Sequence, residues 1–354
     1  TPDTPIDRAV HSRLRSADKL ALQNRYYASL RKRFDLSSQM AVRCISKVCE
    51  VYKRDKSKQP RFRLRGAMPY DQRILSFKAA DRVSILTLSG RVLVPYVTGD
   101  YHRARLEGVR GQCDLVLRGS KWFLFVTVDV PDKAPIEPKE WLGVDLGIRN
   151  LATDSDGEQH SGAVIEKVRL RTQKLRSALQ AKGTRSAKRH MKKIGSREAR
   201  FRADVNHCIS KHIVAKAQGT ARGISLEELS GIRERVTVRR EQRAMFGGWA
   251  FFQLRAFLSY KAALAGIPVR VVDPRNTSRT CPACGDCAKA NRKTQAAFVC
   301  KSCGFSANAD VVGATNIARR AEVSRPIVSS DDSGKRAAAA VTATSPSSDA
   351  SPAL

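Results

Sequence analysis

Two cysteine pairs constrain this 354-residue chain more tightly than any other feature. Cys281-Pro-Ala-Cys284 and Cys300-Lys-Ser-Cys303 are separated by fifteen residues, and each pair has the two-residue gap that lets both thiolates of a knuckle approach one ion. Gly285 and Gly304 follow the knuckles. Four thiolates complete a tetrahedral site with no open position, so a structural zinc is expected at Cys281, Cys284, Cys300 and Cys303. Cys287, three residues after Cys284, competes for a place. The symmetry of two knuckles, each followed by Gly, favours Cys281 over it. Of the other cysteines, Cys44 and Cys49 fall in a helical pattern and read as packing residues.

The remainder of the chain changes texture several times. Ile6 to Arg54 carries apolar residues at three- and four-residue spacing and reads as helix throughout, with Asp35 or Ser37 available to cap its second half. From Lys58 to Val130 short β-prone runs recur between turn residues, which suggests a small antiparallel β-barrel. Its opening, "KRDKSKQPRFRLRG", mixes cations with Phe62 and reads either as a nucleic-acid-facing edge or as a solvated linker. Trp141 to Asp154 reads as a hairpin, and Gln159 to Val168 as a third strand. A basic helical region follows from about Leu170 to Gln218, then the strand "GISLEEL", a helix over about Ala244 to Ala265, the strand "IPVRVVD", and a last helix from Asn308 to Arg320. The Ala-, Ser-, Asp- and Pro-rich stretch beyond it is expected to be disordered.

That order also places three carboxylates. Asp145 ends an apolar run in "WLGVDLGIRN", where a carboxylate is costly unless paired or bound to metal. Glu227 ends the later strand, and Asp310 stands near the start of the last helix. Hairpin, helix, strand, helix, strand and helix is the plan of an RNase H-like fold, whose central strands end side by side. Asp, Glu and Asp there would offer hard oxygen ligands to Mg²⁺. Two such ions suit phosphodiester hydrolysis, activating water and stabilising the leaving 3′-oxygen. Each residue also has an ordinary reading: Asp310 as a helix cap, Glu227 and Glu228 as a solvated pair. Asp273, before Pro274, reads as a turn residue. Histidine is not required, and the six present form no cluster in the sequence.

Charge narrows the partners. Lys and Arg number 65 against 33 acidic residues, a net charge of +32, which favours a polyanionic partner. Seventeen of these cations and only three acids, Glu166, Glu198 and Asp204, fall between Ser161 and Arg222. A solvated helix face would intersperse both signs, so phosphate contacts are expected there. No stretch of about eighteen apolar residues and no apolar signal core is present, so no membrane partner is expected. A bacterial cytosolic or nucleoid-associated location follows, and with it thiols rather than disulfides.

The segments "GVDLGIRNLATDSDG", "ISLEELSGIR", "WAFFQLRAFLSYKAALAGIPVRVVDPRNTSRTCPACG" and "FVCKSCGFSANADVVGATNIARR" resemble TnpB-type proteins of the OrfB transposon family, relatives of compact type V CRISPR nucleases. The resemblance covers about Arg61 to Arg320. It matches the family's three catalytic, magnesium-binding carboxylates to Asp145, Glu227 and Asp310. It implies a multidomain α+β and α/β chain: a helical recognition segment at 1–57, a wedge-like β-barrel at 58–140 and a RuvC-like nuclease core at 141–272. An inserted zinc ribbon at 273–306, a final helix at 307–320 and a disordered tail at 321–354 complete it. It further implies a guide RNA transcribed from the transposon end and cleavage of matching target DNA. Other readings are a guide-dependent DNA-binding protein that no longer cuts, and a transposase or resolvase acting without RNA.

Two departures from the family stand out. Its final motif usually continues Asp-Val-Asn-Ala-Ala, whereas Val312 and Gly313 follow Asp310-Val311 here. The chain begins at Thr1, and the family's first barrel strand is not evident before the helical segment. A truncated barrel is expected to impair guide binding.

Overall fold

The computed structural model describes residues 18–55, 60–78, 81–131, 133–229, 251–294 and 296–323. The chain divides into two units, at 131/132. The parts of the expected helices that precede residues 18 and 251, and the tail beyond 323, lie outside the described residues.

In the first unit the helical stretch is two helices, α1 (Lys19–Phe34) and α2 (Ser38–Arg54). Asp18 caps α1 by accepting from Leu20 N at 2.8 Å, and Asp35 ends it in the left-handed conformation. Ser37, rather than Asp35, caps α2. The helices pack through Leu22, Ile45, Val48, Cys49 and Tyr52. Cys49 is therefore a packing residue, but Cys44 is exposed. Phe62 packs against this same cluster, with Lys47 above its ring.

The β-prone region does not close into a barrel among the described residues. It forms two three-stranded antiparallel sheets, β1-β5-β6 and β2-β3-β4. The strands are β1 (Met68–Tyr70), β2 (Leu75–Lys78), β3 (Arg82–Thr87), β4 (Gly90–Pro95), β5 (Val109–Arg118) and β6 (Lys121–Val128). Closure needs every strand to have a ladder on both sides. Here β1, β6, β2 and β4 have one each, and β4 is exposed along its whole length. Tyr70, Ile74, Leu75, Val83, Ile85 and Cys113 form the core of this region. Arg43 reaches from α2 to the buried Asp71 at 2.6 Å.

The second unit is built on a five-stranded sheet in the order β11-β10-β7-β8-β9. Its strands are β7 (Trp141–Asp145), β8 (Asn150–Asp154), β9 (Gln159–Ser161), β10 (Gly223–Glu227) and β11 (Val269–Val272). β7, β10 and β11 run parallel, while β7, β8 and β9 form an antiparallel meander. The third strand is shorter than expected. It stops at Ser161, because Gly162 N turns back to Arg149 O and α3 (Ala163–Lys182) begins at once. The basic region is likewise two helices, α3 and α4 (Arg185–Gly219), parted at Gly183 in the left-handed conformation.

Strand alternation then assigns two faces. Leu142, Val144, Ile224 and Leu226 pack against α4 and α5 (Phe251–Ala265) through Ile213, Ala217, Leu254 and Leu258. The opposite face, bearing Trp141, Gly143, Gly223 and Ser225, is covered by α6 (Ala309–Val323) through Ile317, Ala318 and Ala321. Gly143 permits that docking: a Cβ there would lie 1.9 Å from Ala314 O and 2.7 Å from Ala318 N. Between β11 and α6 the chain forms a small hairpin module with β12 (Ala297–Val299) and β13 (Ser306–Asn308). Among the described residues no helix is long and apolar enough to cross a membrane.

Candidate active site and metal centre

The two central parallel strands end together. Their last ladder pair is Leu226 with Val144, so Glu227 follows beside Asp145 at the carboxyl ends of β10 and β7. Carboxyl ends of parallel strands are where α/β sheets place their ligands. By alternation both side chains turn to the α6 face. Asp310 lies in the first turn of α6, where Asn308 accepts its backbone N–H at 2.9 Å and so takes the capping role. The Asp310 carboxylate instead accepts from Asn150 Nδ2 at 3.0 Å.

The electrostatics record the crowding. Burial, then the charges of Glu227 and Asp310, push Asp145 from 3.8 up to about 8, while Arg292 pulls in the opposite direction. Burial also raises Glu227; the Thr277 hydroxyl, Arg320 and Arg292 counter it, and Asp273 adds to the rise. Thr277 is itself buried and donates to Glu227 Oε1. The three carboxylates are not drawn so close that one oxygen of each lies within 4.8 Å of the others, as the thiols are. The next residue behaves differently. Glu228 meets Arg255 of α5 in a two-pronged ion pair at 2.8 and 3.0 Å, on the other side of the sheet. Asp273 is exposed and caps a turn by accepting from Arg275 N at 3.0 Å.

Both residues that depart from the last motif have a steric setting. Val312 is buried with Cys281, Phe298, Cys300 and Ala309, so it packs α6 onto the hairpin module. Gly313 faces Asp145, and a Cβ there would stand 3.2 Å from Asp145 Oδ2.

In the hairpin module Cys281, Cys284, Cys300 and Cys303 come together, with one donor atom of each within 4.8 Å of the rest. The Cys281–Cys303 and Cys284–Cys300 sulfurs are 3.6 and 3.5 Å apart. Gly285 and Gly304, at φ +78° and +76°, close the knuckles by donating to Cys281 O and Cys300 O. Desolvation opposes ionisation of Cys281, but backbone N–H groups of Cys284 and Ala283 outweigh it and hold the thiol at about 7. Cys287 is exposed and outside the cluster. Four soft donors fit a zinc or similar ion and leave no position for substrate.

Several supporting residues stand outside the cysteine and carboxylate motifs of the sequence. Asn291, fully buried, donates to Asp286 and accepts from Lys301 N at 2.9 Å, tying the knuckles together. Asn316 of α6 donates to Thr277 O and Thr280 O at 2.7 and 2.8 Å. Polar residues inside an apolar helical pattern are the signal that could have found Asn316. Arg292 could not be found this way, since it is one cation among many. The expectation of no histidine cluster also fails in space: His160 and His212 meet beside Glu158.

Two family models match the chain. One, described as OrfB_IS605, Probable transposase, matches residues 124–226; the other, the Cas12f1-like TNB domain, matches residues 251–317. The chain is similar to TnpB-like and Cas12f1 proteins. A Cas12f1 endodeoxyribonuclease of Sulfoacidibacillus thermotolerans is 33% identical over 219 residues, 57% of this chain and 50% of that one. The chain thus spans about half the length of that relative. A TnpB-like protein of Methanocaldococcus jannaschii is 27% identical over 263 residues, 68% of this chain and 91% of that one. InsQ of Escherichia coli, provisionally named an RNA-guided DNA endonuclease, is 26% identical over 306 residues, covering 79% and 72%. A cryo-EM structure of a Cas12f1–sgRNA–target DNA complex aligns with TM-score 0.43 and 15% identity over 88% of this chain and 92% of that one.

Proposed function

We propose that this chain is a transposon-encoded, RNA-guided DNA endonuclease of the TnpB and Cas12f type. Its second unit would hold an RNase H-like, RuvC-like nuclease core at 141–272, with an inserted zinc ribbon at 273–306 and a final helix at 307–320. The observation that carries it is the placement of Asp145 and Glu227 at adjacent strand ends on the face to which α6 presents Asp310. Relatives named as endodeoxyribonucleases support the chemistry.

In this reading Asp145, Glu227 and Asp310 hold Mg²⁺ as hard oxygen donors, and Cys281, Cys284, Cys300 and Cys303 hold zinc. Divalent ions at such a site supply activation of water and neutralisation of charge at the leaving 3′-oxygen. The protein's part is positioning. Thr277 orients the Glu227 carboxylate, Asn150 orients Asp310, and Arg292 offsets the negative charge around Asp145 and Glu227. The cations of α3 and α4 receive guide RNA and target DNA through phosphate contacts, so binding should weaken steeply with salt.

The test is to sequence the RNA that co-purifies with the chain, then challenge that complex with matching DNA. A discrete RNA with a fixed scaffold and Mg²⁺-dependent cutting are expected. Binding of target without cutting, with all three carboxylates intact, would overturn the nuclease reading. Cutting that persists after complete removal of RNA would overturn the guided one.

A further inference from the structure

On the far edge of the nuclease-like sheet, away from Asp145, three ligand-type side chains meet. Glu158 precedes the edge strand β9, His160 lies within it, and His212 comes from α4. One donor atom of each lies within 4.8 Å of the other two. Glu158 Oε1 and His212 Nε2 are 2.8 Å apart, and the two imidazoles stand 5.4 Å apart, edge to face. His160 Nε2 is buried and has no hydrogen-bond partner.

We infer that Glu158, His160 and His212 form a binding site for a divalent transition metal of the zinc class, separate from the thiol and carboxylate clusters. A simple ion pair between Glu158 and His212 is the ordinary alternative, and exposed pairs of that kind are common. It leaves His160 Nε2 unexplained, because buried polar atoms without a partner are rare in folded proteins. Two imidazoles and one carboxylate are borderline donors that suit Zn²⁺, Ni²⁺ or Co²⁺, whereas Mg²⁺ favours oxygen alone.

The surroundings divide the Glu158 carboxylate between two tasks. Lys216 Nζ lies 3.2 Å from Oε2, 3.1 Å from Asp156, and also bonds Asp154, while Arg222 holds Asp156 at 2.6 Å. Three carboxylates therefore surround the ammonium, and Oε1 is left facing the imidazoles. Lys216 thereby orients Glu158, as partners of metal-binding carboxylates commonly do. An ion about 2.0–2.2 Å from each donor needs the present Glu158–His212 contact to open slightly, which the half-exposed His212 side chain permits. The ion would fasten the last strand of the sheet to the long basic helix α4. Three protein donors leave a coordination position open for water or another ligand.

The experiment uses the full chain with zinc already in its thiol site and Mg²⁺ in excess to occupy the carboxylates. Zn²⁺ is titrated by calorimetry, and metal content is counted after gel filtration. One further equivalent is expected. His160→Gln and His212→Gln should each weaken it about tenfold or more. Both variants should keep the thiol-bound zinc and the wild-type circular dichroism. Zn²⁺ should raise the melting temperature of the wild type and not that of the variants. His212 is exposed enough that its variant should fold even if His160→Gln does not. In ¹⁵N spectra the His160 and His212 ring nitrogens should shift and the other four histidines should not. No further equivalent in the wild type, or undiminished binding in a folded His212→Gln chain, would overturn the inference.

Discussion

Cys281 and Cys284 are brought together by a single turn, and a short hairpin adds Cys300 and Cys303. Asp145, Glu227 and Asp310 share no such local device; they come near one another because two parallel strands end side by side and a helix lies across them. The thiol cluster thus depends on knuckle geometry and, in the proposed reading, on a zinc ion that the four thiolates would hold. The carboxylate cluster depends on the register of a sheet and on how closely α6 can approach it. The first should be sensitive to metal and indifferent to the distant core. The second should be sensitive to packing at residues that never touch a ligand.

The largest effect separating them is expected at Asp145. Asp145→Ala should reduce cleavage by more than the roughly 10- to 100-fold typical of losing a partner of a metal ligand, while target affinity changes little. A pH series sharpens this. The folded-state pKa of Asp145, about 8, lies above its ordinary 3.8. Between those values the folded, metal-free chain binds a proton that the unfolded chain does not. Its stability is therefore full at low pH, falls as pH rises toward 8 and levels off above. Asp145→Asn should flatten that decline in thermal melts, and a decline that survives the substitution would assign it to another group.

The next effect belongs to the ribbon. Cys300→Ser should release zinc and unfold the hairpin module, since metal binding supplies about 10–16 kcal/mol in small zinc peptides. The β7–β11 sheet should keep its melting transition. If the sheet melts with the ribbon, the two clusters are not independent. Retention of stoichiometric zinc would point instead to Cys287 as the substitute ligand.

Gly143→Ala tests the opposite dependence. The added Cβ would overlap Ala314 O, which demands a shift of α6. A loss of about 1–3 kcal/mol, as for other overpacked cores, should appear in denaturant unfolding. Cleavage should fall because Asp310 moves with the helix, and thiol-bound zinc should stay. Unchanged cleavage would show that α6 can shift without disturbing the site.

The smallest effect is expected at Glu228. Glu228→Gln removes one charge of a partly buried ion pair with Arg255 on the other face, worth on the order of 1 kcal/mol, and should leave cutting near wild type. Glu227→Gln should abolish it. The reverse result would put the second carboxylate on the wrong face.

The sequence was most legible where chemistry is local. The thiol spacing, the helical periodicity of α1, α2 and α4, and the order of strands around Asp145 could all be read from neighbouring residues. Glu227 could be placed at its strand end from the apolar run before it. Three kinds of feature were not legible. Among the described residues the expected barrel does not close, because closure depends on edge pairing between strands, a property that no single strand encodes. The helix begun at Ala163 replaced an expected strand because one turn at Gly162 redirected the chain. Thr277, Arg292 and the His160–His212 pair acquire meaning only from what stands opposite them. Residue types and spacings determine which donors a chain carries, because those are set along the backbone. Which donors share a site, and what charge each then bears, is decided by packing, because burial and Coulomb interactions depend on distance in space.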